Sequence, residues 1–189
     1  MDRDGEIRLV GLVGLAGCGK DTLASQIESD GWIRVAFADA LKDMCVEFLG
    51  LSHDDAYTQE GKMRFNEFWD MTNREILQRV GTEAFRNGFH RDTWVKIAEL
   101  KIRRLLAEGG KVVVTDCRFD NEAEMVARLG GVVLRVVRNG MKSTLSSSEQ
   151  SHASEKGVSN EYIDGIVSND RSISDLKDAF ERAISIIVK

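Results

Sequence analysis

The run Gly14-Leu15-Ala16-Gly17-Cys18-Gly19-Lys20-Asp21-Thr22 fits the pattern G-x-x-x-x-G-K. Its residue types bear on chemistry more directly than any others in the chain. Glycines let successive main-chain N–H groups turn inward around phosphate oxygens. A helix opening at the end of the run adds positive potential, and Lys20 supplies a point charge for the phosphate being transferred. The run therefore predicts a loop that holds ATP, with Gly17, Gly19, Lys20, Asp21 and Thr22 among its contacts. Asp21 stands where Ser or Thr usually offers a hydroxyl to magnesium. A carboxylate beside a triphosphate repels it unless a cation lies between them, so Asp21 is expected to act near Mg²⁺, through water. Thr22 has alternative readings: part of the same metal shell, a phosphate ligand, or a cap for the helix.

A second acid ends the apolar run Val112-Val113-Val114-Thr115-Asp116. A carboxylate delivered there suits a metal shell or a substrate hydroxyl, or it is only the N-cap of the next helix. Arg118 offers a planar fork to phosphate; alternatively it pairs with Glu122 on the surface. Arg135 and Arg138, with His152 and Lys156 further on, are candidates to approach the γ-phosphate, Arg138 as an ATP contact. Arg74 and Arg86 flank a segment containing Gln78, Gly81 and Thr82, and Trp94 follows. Two arginines for a monophosphate and an aromatic ring for a base together describe a nucleotide acceptor site. Singly, each arginine reads as solvated and Trp94 as core.

The elements that must position these residues alternate. Ile7–Leu15 reads as a strand that stops at glycine, and Lys20–Ile27 as a helix. Trp32–Phe37 is a second strand, followed by Leu41, Met44, Cys45, Phe48 and Leu49 at the spacing of an inward helical stripe. His53–Trp69 is polar and irregular, either a substrate-closing loop or a surface insertion. Thr72 and Glu75 form a capping-box signature for a helix that buries Ile76, Leu77, Val80 and Ala84. A helix over Asp92–Glu108 stops at Gly109 and Gly110, and the β-branched run after it suits a parallel strand buried on both faces. Helix 122–129, strands 132–138 and 165–167, and a helix over 174–188 complete the series. Alternation of this kind predicts an α/β fold of three layers, a mainly parallel five-stranded sheet with helices on both faces. Its ligands bind at the carboxyl ends of the strands. The serine-rich stretch from about 139 to 160 interrupts the series, as a plain flexible loop or as a mobile lid.

Composition narrows the partners. A chain of 189 residues with 42% hydrophobic and 30% charged residues reads as a single domain around one core. Within it the acceptor-binding helical region spans about 38–108. The formal net charge of −5 argues against a protein that holds long nucleic acid by releasing counterions. No run approaches a membrane span and no signal-peptide pattern follows the charged start, so a soluble, cytoplasmic protein is expected. Monomer and homodimer are both open. Cys18, Cys45 and Cys117 are widely spaced and odd in number, and read as free thiols.

The stretches GLAGCGKDT, FADALK, TNREILQRVGTEAFR with DTWV after it, VVVTDCRFDNEAE and HASE run in this order along nearly the whole chain. In them the sequence resembles the phage-type deoxynucleoside monophosphate kinases, a branch of the adenylate-kinase-like P-loop kinases. The GKDT variant is shared with that family. The resemblance implies that Gly19, Lys20, Asp21 and Thr22 hold ATP and that Leu41 and Lys42 border the acceptor. It also implies that Arg74, Gly81, Thr82 and Trp94 line the acceptor pocket. Asp116, Arg118 and Glu122 would then reach the sugar or phosphate of a deoxynucleoside monophosphate. The chain departs from the family in having no proline where FADALK-like and TNRE-like segments often carry it. Segment 53–69 has no counterpart in the resemblance.

The expected reaction is in-line transfer of the γ-phosphoryl group of ATP, with Mg²⁺, to a small-molecule 5′-monophosphate; Lys20, Asp21, Asp116 and Arg118 are its candidate catalytic residues. The rivals are a phosphomevalonate-type or dephospho-coenzyme-A-type kinase sharing the GKDT loop, and a nucleotide-dependent switch. No N-K-x-D sequence supports the switch.

Overall fold

The computed structural model describes residues 6–138 and 157–188. His152, Lys156 and most of the expected lid lie outside the described residues. Contacts group the chain into two units, Phe37–Ala98 and the remainder.

In the larger unit, β1 (Leu9–Val13), β2 (Trp32–Val35), β5 (Lys111–Val114), β6 (Val132–Val137) and β7 (Gly165–Ser168) form one sheet in the order β2-β5-β1-β6-β7. Every pairing is parallel. β1 is central and buried at all five positions. That burial is why its sequence reads as a continuous apolar run rather than an alternating one. The sheet lies between helices. Val10 and Leu12 of β1 share a core with Leu23 and Ile27 of α1 (Lys20–Ile27) and Leu176 and Phe180 of α8 (Ile173–Ile187). Trp32 closes that core edge-on against Phe180, with ring centres 5.5 Å apart. On the other face α7 (Asp120–Arg128) contacts β1 and β6 and buries Ala123, Met125 and Val126. The three-layer α/β arrangement read from the sequence is thus the observed one. Glu99 is gripped by Arg128 through two bonds of 2.9 and 2.7 Å and by Arg103. These guanidinium groups hold its carboxyl down to about 2.

In the smaller unit, α2 (Asp39–Leu49) does not bury the expected stripe evenly. Cys45 is fully buried, whereas Phe48 is 77% exposed. The segment 53–69, read as a loop or insertion, instead folds into two short helices, α3 (His53–Tyr57) and α4 (Gln59–Met63), and enters a two-stranded hairpin of β3 (Phe65–Asn66) with β4 (Met71–Thr72). Ser52 and Thr58 make this possible as N-caps, accepting from the N–H groups of Asp55 and Gly61. The Thr72 capping box is present. Thr72 Oγ1 accepts from Glu75 N at 3.2 Å, and Glu75 Oε2 accepts from Thr72 N at 2.7 Å. It opens α5 (Asn73–Gln78), which widens into a π-helical stretch over Arg79–Asn87. That widening explains why Ala84, expected in the core, is exposed. α6 follows over Thr93–Ala107.

No helix among the described residues is long and apolar enough to cross a membrane.

Candidate active site

The glycine-rich run leaves the carboxyl end of the central strand β1 and enters α1 at Lys20. Gly14, Gly17 and Gly19 have φ values of 152°, 78° and 108°. At Gly14 a Cβ would stand 2.5 Å from the Val136 carbonyl oxygen, so only glycine fits there. Cys18 N donates to Leu15 O at 3.2 Å, closing the turn. The Lys20 ammonium lies over this loop, donating to the carbonyls of Gly14 at 2.7 Å and Leu15 at 2.9 Å. A cation is therefore placed at the loop's mouth by the loop's own main chain. Gly19 occupies the N-cap position of α1, with no side-chain cap bond. Thr22, one reading of which was a helix cap, therefore lies inside the helix. Asp21 and Thr22 are both exposed on its first turn.

Next to β1, β5 ends where Thr115 is buried and Asp116 half-buried. The N-cap of α7 is Phe119, so Asp116 is not that helix's cap. Glu122 is 2% exposed. Its Oε2 accepts from the main-chain N–H groups of Arg118 at 2.7 Å and Phe119 at 3.1 Å. In this structure Glu122 thus shapes the turn that carries Arg118, rather than standing on the surface. Burial pushes the Cys117 thiol well above its usual range, with Glu122 and Asp116 adding to the effect. Cys18, Cys45 and Cys117 are all buried free thiols.

The start of the glycine-rich loop, Lys20 and the turn that carries Arg118 border a cavity of about 820 Å³, lined by Gly14, Lys20, Arg118, Asp120, Arg135 and Arg138 among others; Gly17, Gly19, Asp21, Thr22, Asp116 and Glu122 are not among those lining residues. Among the described residues, four cations line it against one carboxylate, a balance suited to a polyphosphate. Its wall at 157–160 is braced from both sides. Asp120 accepts from Ser159 N at 2.7 Å and Ser159 Oγ at 2.8 Å. Arg135 donates to Val158 O at 2.8 Å and Asn160 Oδ1 at 2.5 Å.

Sequence reasoning missed Asn169. It follows β7, its N–H donates to Val137 O at 2.7 Å, and its Nδ2 donates to Cys18 O at 2.8 Å. A contact across 151 positions leaves no local signal.

Within Phe37–Ala98, three expected acceptor residues come together. A Cβ on Gly81 would stand 2.7 Å from Leu41 Cδ2, and Trp94 Nε1 donates to Gly81 O at 2.9 Å. Trp94 is only 4% exposed and lies against Phe85, ring centres 5.1 Å apart. Its expected stacking on a base is corrected accordingly: the indole holds the main chain at Gly81 from inside the unit. Lys42 Nζ lies 4.6 Å from the centre of the Tyr57 ring, Arg74 donates to Gln59 Oε1 at 3.1 Å, and Thr82 is exposed.

A phosphate-loop motif in its full strand-loop-helix setting, at the carboxyl edge of a five-stranded parallel sheet, defines the class: an α/β P-loop protein. A solved Thermus thermophilus structure shares the fold, with a TM-score of 0.51 and 20% identity over 96% of this chain and 98% of that one. The profile of the family described as Deoxynucleotide monophosphate kinase matches residues 52–180, and the chain belongs to that family. The match begins after the glycine-rich loop. A protein of Acanthamoeba polyphaga mimivirus named "Putative deoxynucleotide monophosphate kinase" is 36% identical over 159 residues, covering 78% of this chain and 80% of that protein. The "Deoxynucleotide monophosphate kinase" of Escherichia phage RB69 is 31% identical over 127 residues, 67% of this chain but only 49% of its own length.

Proposed function

We propose that the protein transfers the γ-phosphoryl group of ATP to the 5′-phosphate of a deoxynucleoside monophosphate, giving ADP and a deoxynucleoside diphosphate. The observation that carries this reading is the cation-lined cavity at the glycine-rich loop, in a chain of the deoxynucleotide monophosphate kinase family. An acceptor phosphate oxygen attacks the γ-phosphorus in line, and the bond from that phosphorus to the oxygen bridging to the β-phosphate breaks. No enzyme-bound phosphoryl intermediate is needed. Catalysis is then mostly positioning and charge neutralisation.

In this reading the N–H groups of the loop from Gly14 to Gly19 hold the triphosphate. Lys20 leaves its carbonyl partners for the β- and γ-phosphates, while Arg118 and Arg138 neutralise charge on the phosphoryl group in flight. Glu122 positions Arg118 through the main chain. Leu41, Lys42, Arg74, Gly81 and Thr82 recognise the acceptor, with Trp94 supporting Gly81 from inside. Mg²⁺ would supply charge neutralisation for the triphosphate. Among the described residues no group of three or more His, Cys, Asp or Glu is placed to hold a metal. Magnesium keeps most of its water and takes few protein ligands. Asp21, Thr22 and Asp116 are the groups for that water shell.

A coupled assay of ADP release tests the acceptor. Release above the ATP-only blank is expected with deoxynucleoside monophosphates. Release with phosphomevalonate or dephospho-coenzyme A, and none with any nucleotide, would overturn the assignment.

A further inference from the structure

Asn169 has no part in the roles above, yet it is the residue that ties the last strand of the sheet to the glycine-rich loop. Its main chain extends the β6–β7 ladder by donating to Val137 O at 2.7 Å, which fixes its Cα. From there Nδ2 donates to the carbonyl oxygen of Cys18 at 2.8 Å. The same amide lies against Gly19, where a Cβ would stand 2.3 Å from Nδ2 and 3.2 Å from Cγ. Position 19 therefore excludes a side chain for two separate reasons, its φ of 108° and the Asn169 amide.

The consequence follows from peptide planarity. In a trans peptide the C=O and the following N–H point in opposite directions across one rigid plane. Holding the Cys18 carbonyl toward Asn169 therefore turns the N–H of Gly19 away from Asn169. Gly19 is also the N-cap of α1, so its N–H is one of the donors released at the positive end of that helix. The Cys18 N–H is held by Leu15 O and the Gly19 carbonyl by Leu23 N–H, and the Asn169 amide adds the bond on the carbonyl of the plane between them.

We infer that Asn169 is a positioning residue for nucleotide phosphate: by pinning the Cys18 carbonyl it presets the Gly19 N–H as a phosphate donor. The inference rests on the ATP-binding reading of the loop. It concerns phosphate and not base, and this separates it from the alternative that a residue at the end of β7 touches the base.

The test is calorimetry on the whole chain with ATP and with inorganic tripolyphosphate, which has the phosphates and no base. Asn169→Ala removes the donor, and Asn169→Asp keeps the size while setting a carboxylate against a carbonyl. Both retain the main-chain bond to Val137. Loss of one such hydrogen bond weakens binding by about 3- to 10-fold. The expected result is a loss of this size for ATP and an equal loss for tripolyphosphate, with the KM for the acceptor unchanged. A loss for ATP with tripolyphosphate unaffected would assign Asn169 to the base and overturn the inference. So would unchanged binding of both ligands, or a lowered Tm as the sole effect, since that is a purely structural role. If the unaltered protein binds neither ligand, the ATP-binding reading fails first, and the inference fails with it.

Discussion

Lys20→Ala is expected to lower kcat by about 10²- to 10³-fold, the usual effect of deleting one preorganised donor aimed at developing charge. The far-ultraviolet circular dichroism should stay the same. Both halves follow from the geometry. The ammonium donates to the carbonyls of Gly14 and Leu15, at 2.7 and 2.9 Å, and to Cys18 Sγ at 3.7 Å, at the mouth of an open cavity. Losing those bonds costs the fold little, because water replaces them. Losing the charge cannot be compensated in the same way, since the water that replaces the ammonium carries no charge to set against the phosphate. Turnover within threefold of the unaltered protein would remove Lys20 from the mechanism.

Gly14→Ala should do the opposite, damaging stability and binding together. The new Cβ would lie 2.5 Å from Val136 O and 2.7 Å from Cys18 Sγ, at a φ of 152°. Neither obstacle is the free end of a long side chain. One is the backbone of a sheet strand, and the other is a sulfur that is 3% exposed. Overpacking and backbone strain together cost roughly 3–5 kcal/mol, which lowers Tm by about 10 °C in a chain of this size. Gly31→Ala is the control. Its φ is 83°, yet nothing lies within 4 Å of the added carbon. It carries the conformational cost alone, about 1–2 kcal/mol, and should leave nucleotide binding intact. Equal losses for the two variants would show that φ, and not the Val136 and Cys18 wall, restricts position 14.

Where a local signal coincides with a local structure, the chain is legible from its residues. Lys20–Ile27 is the helix its spacing predicts, residue for residue. Thr72 and Glu75 make both bonds of a capping box. The β-branched run before Asp116 is a strand buried beside β1. The five-stranded parallel sheet follows from the alternation of such segments.

What stayed hidden has physical causes. Helices of five residues, as at His53–Tyr57 and Gln59–Met63, are too short to show a period. A signal for the first was nonetheless present, because Ser52 and Asp55 form a second capping box. The π-helical stretch 79–87 has a different period from the α-helix, so a stripe projected at 3.6 residues puts Ala84 on the wrong side. Phe48 shows that spacing marks a face without showing that anything covers it. Glu122 and Trp94 are residue types that suit ligand contact, and both turn inward to hold main chain instead. Asn169 is the extreme case, since its bond to Cys18 exists only once the sheet has brought β7 round to the loop.

Phosphoryl transfer and slow hydrolysis by a nucleotide switch differ in where the γ-phosphate goes. Phosphorus-31 NMR of the protein with ATP, Mg²⁺ and a deoxynucleoside monophosphate reads the fate of the γ-phosphate directly. With transfer, ADP and the deoxynucleoside diphosphate grow in equal amounts as ATP and the monophosphate decline, with inorganic phosphate flat. Inorganic phosphate rising in step with ADP, while the monophosphate signal holds constant, would rule transfer out.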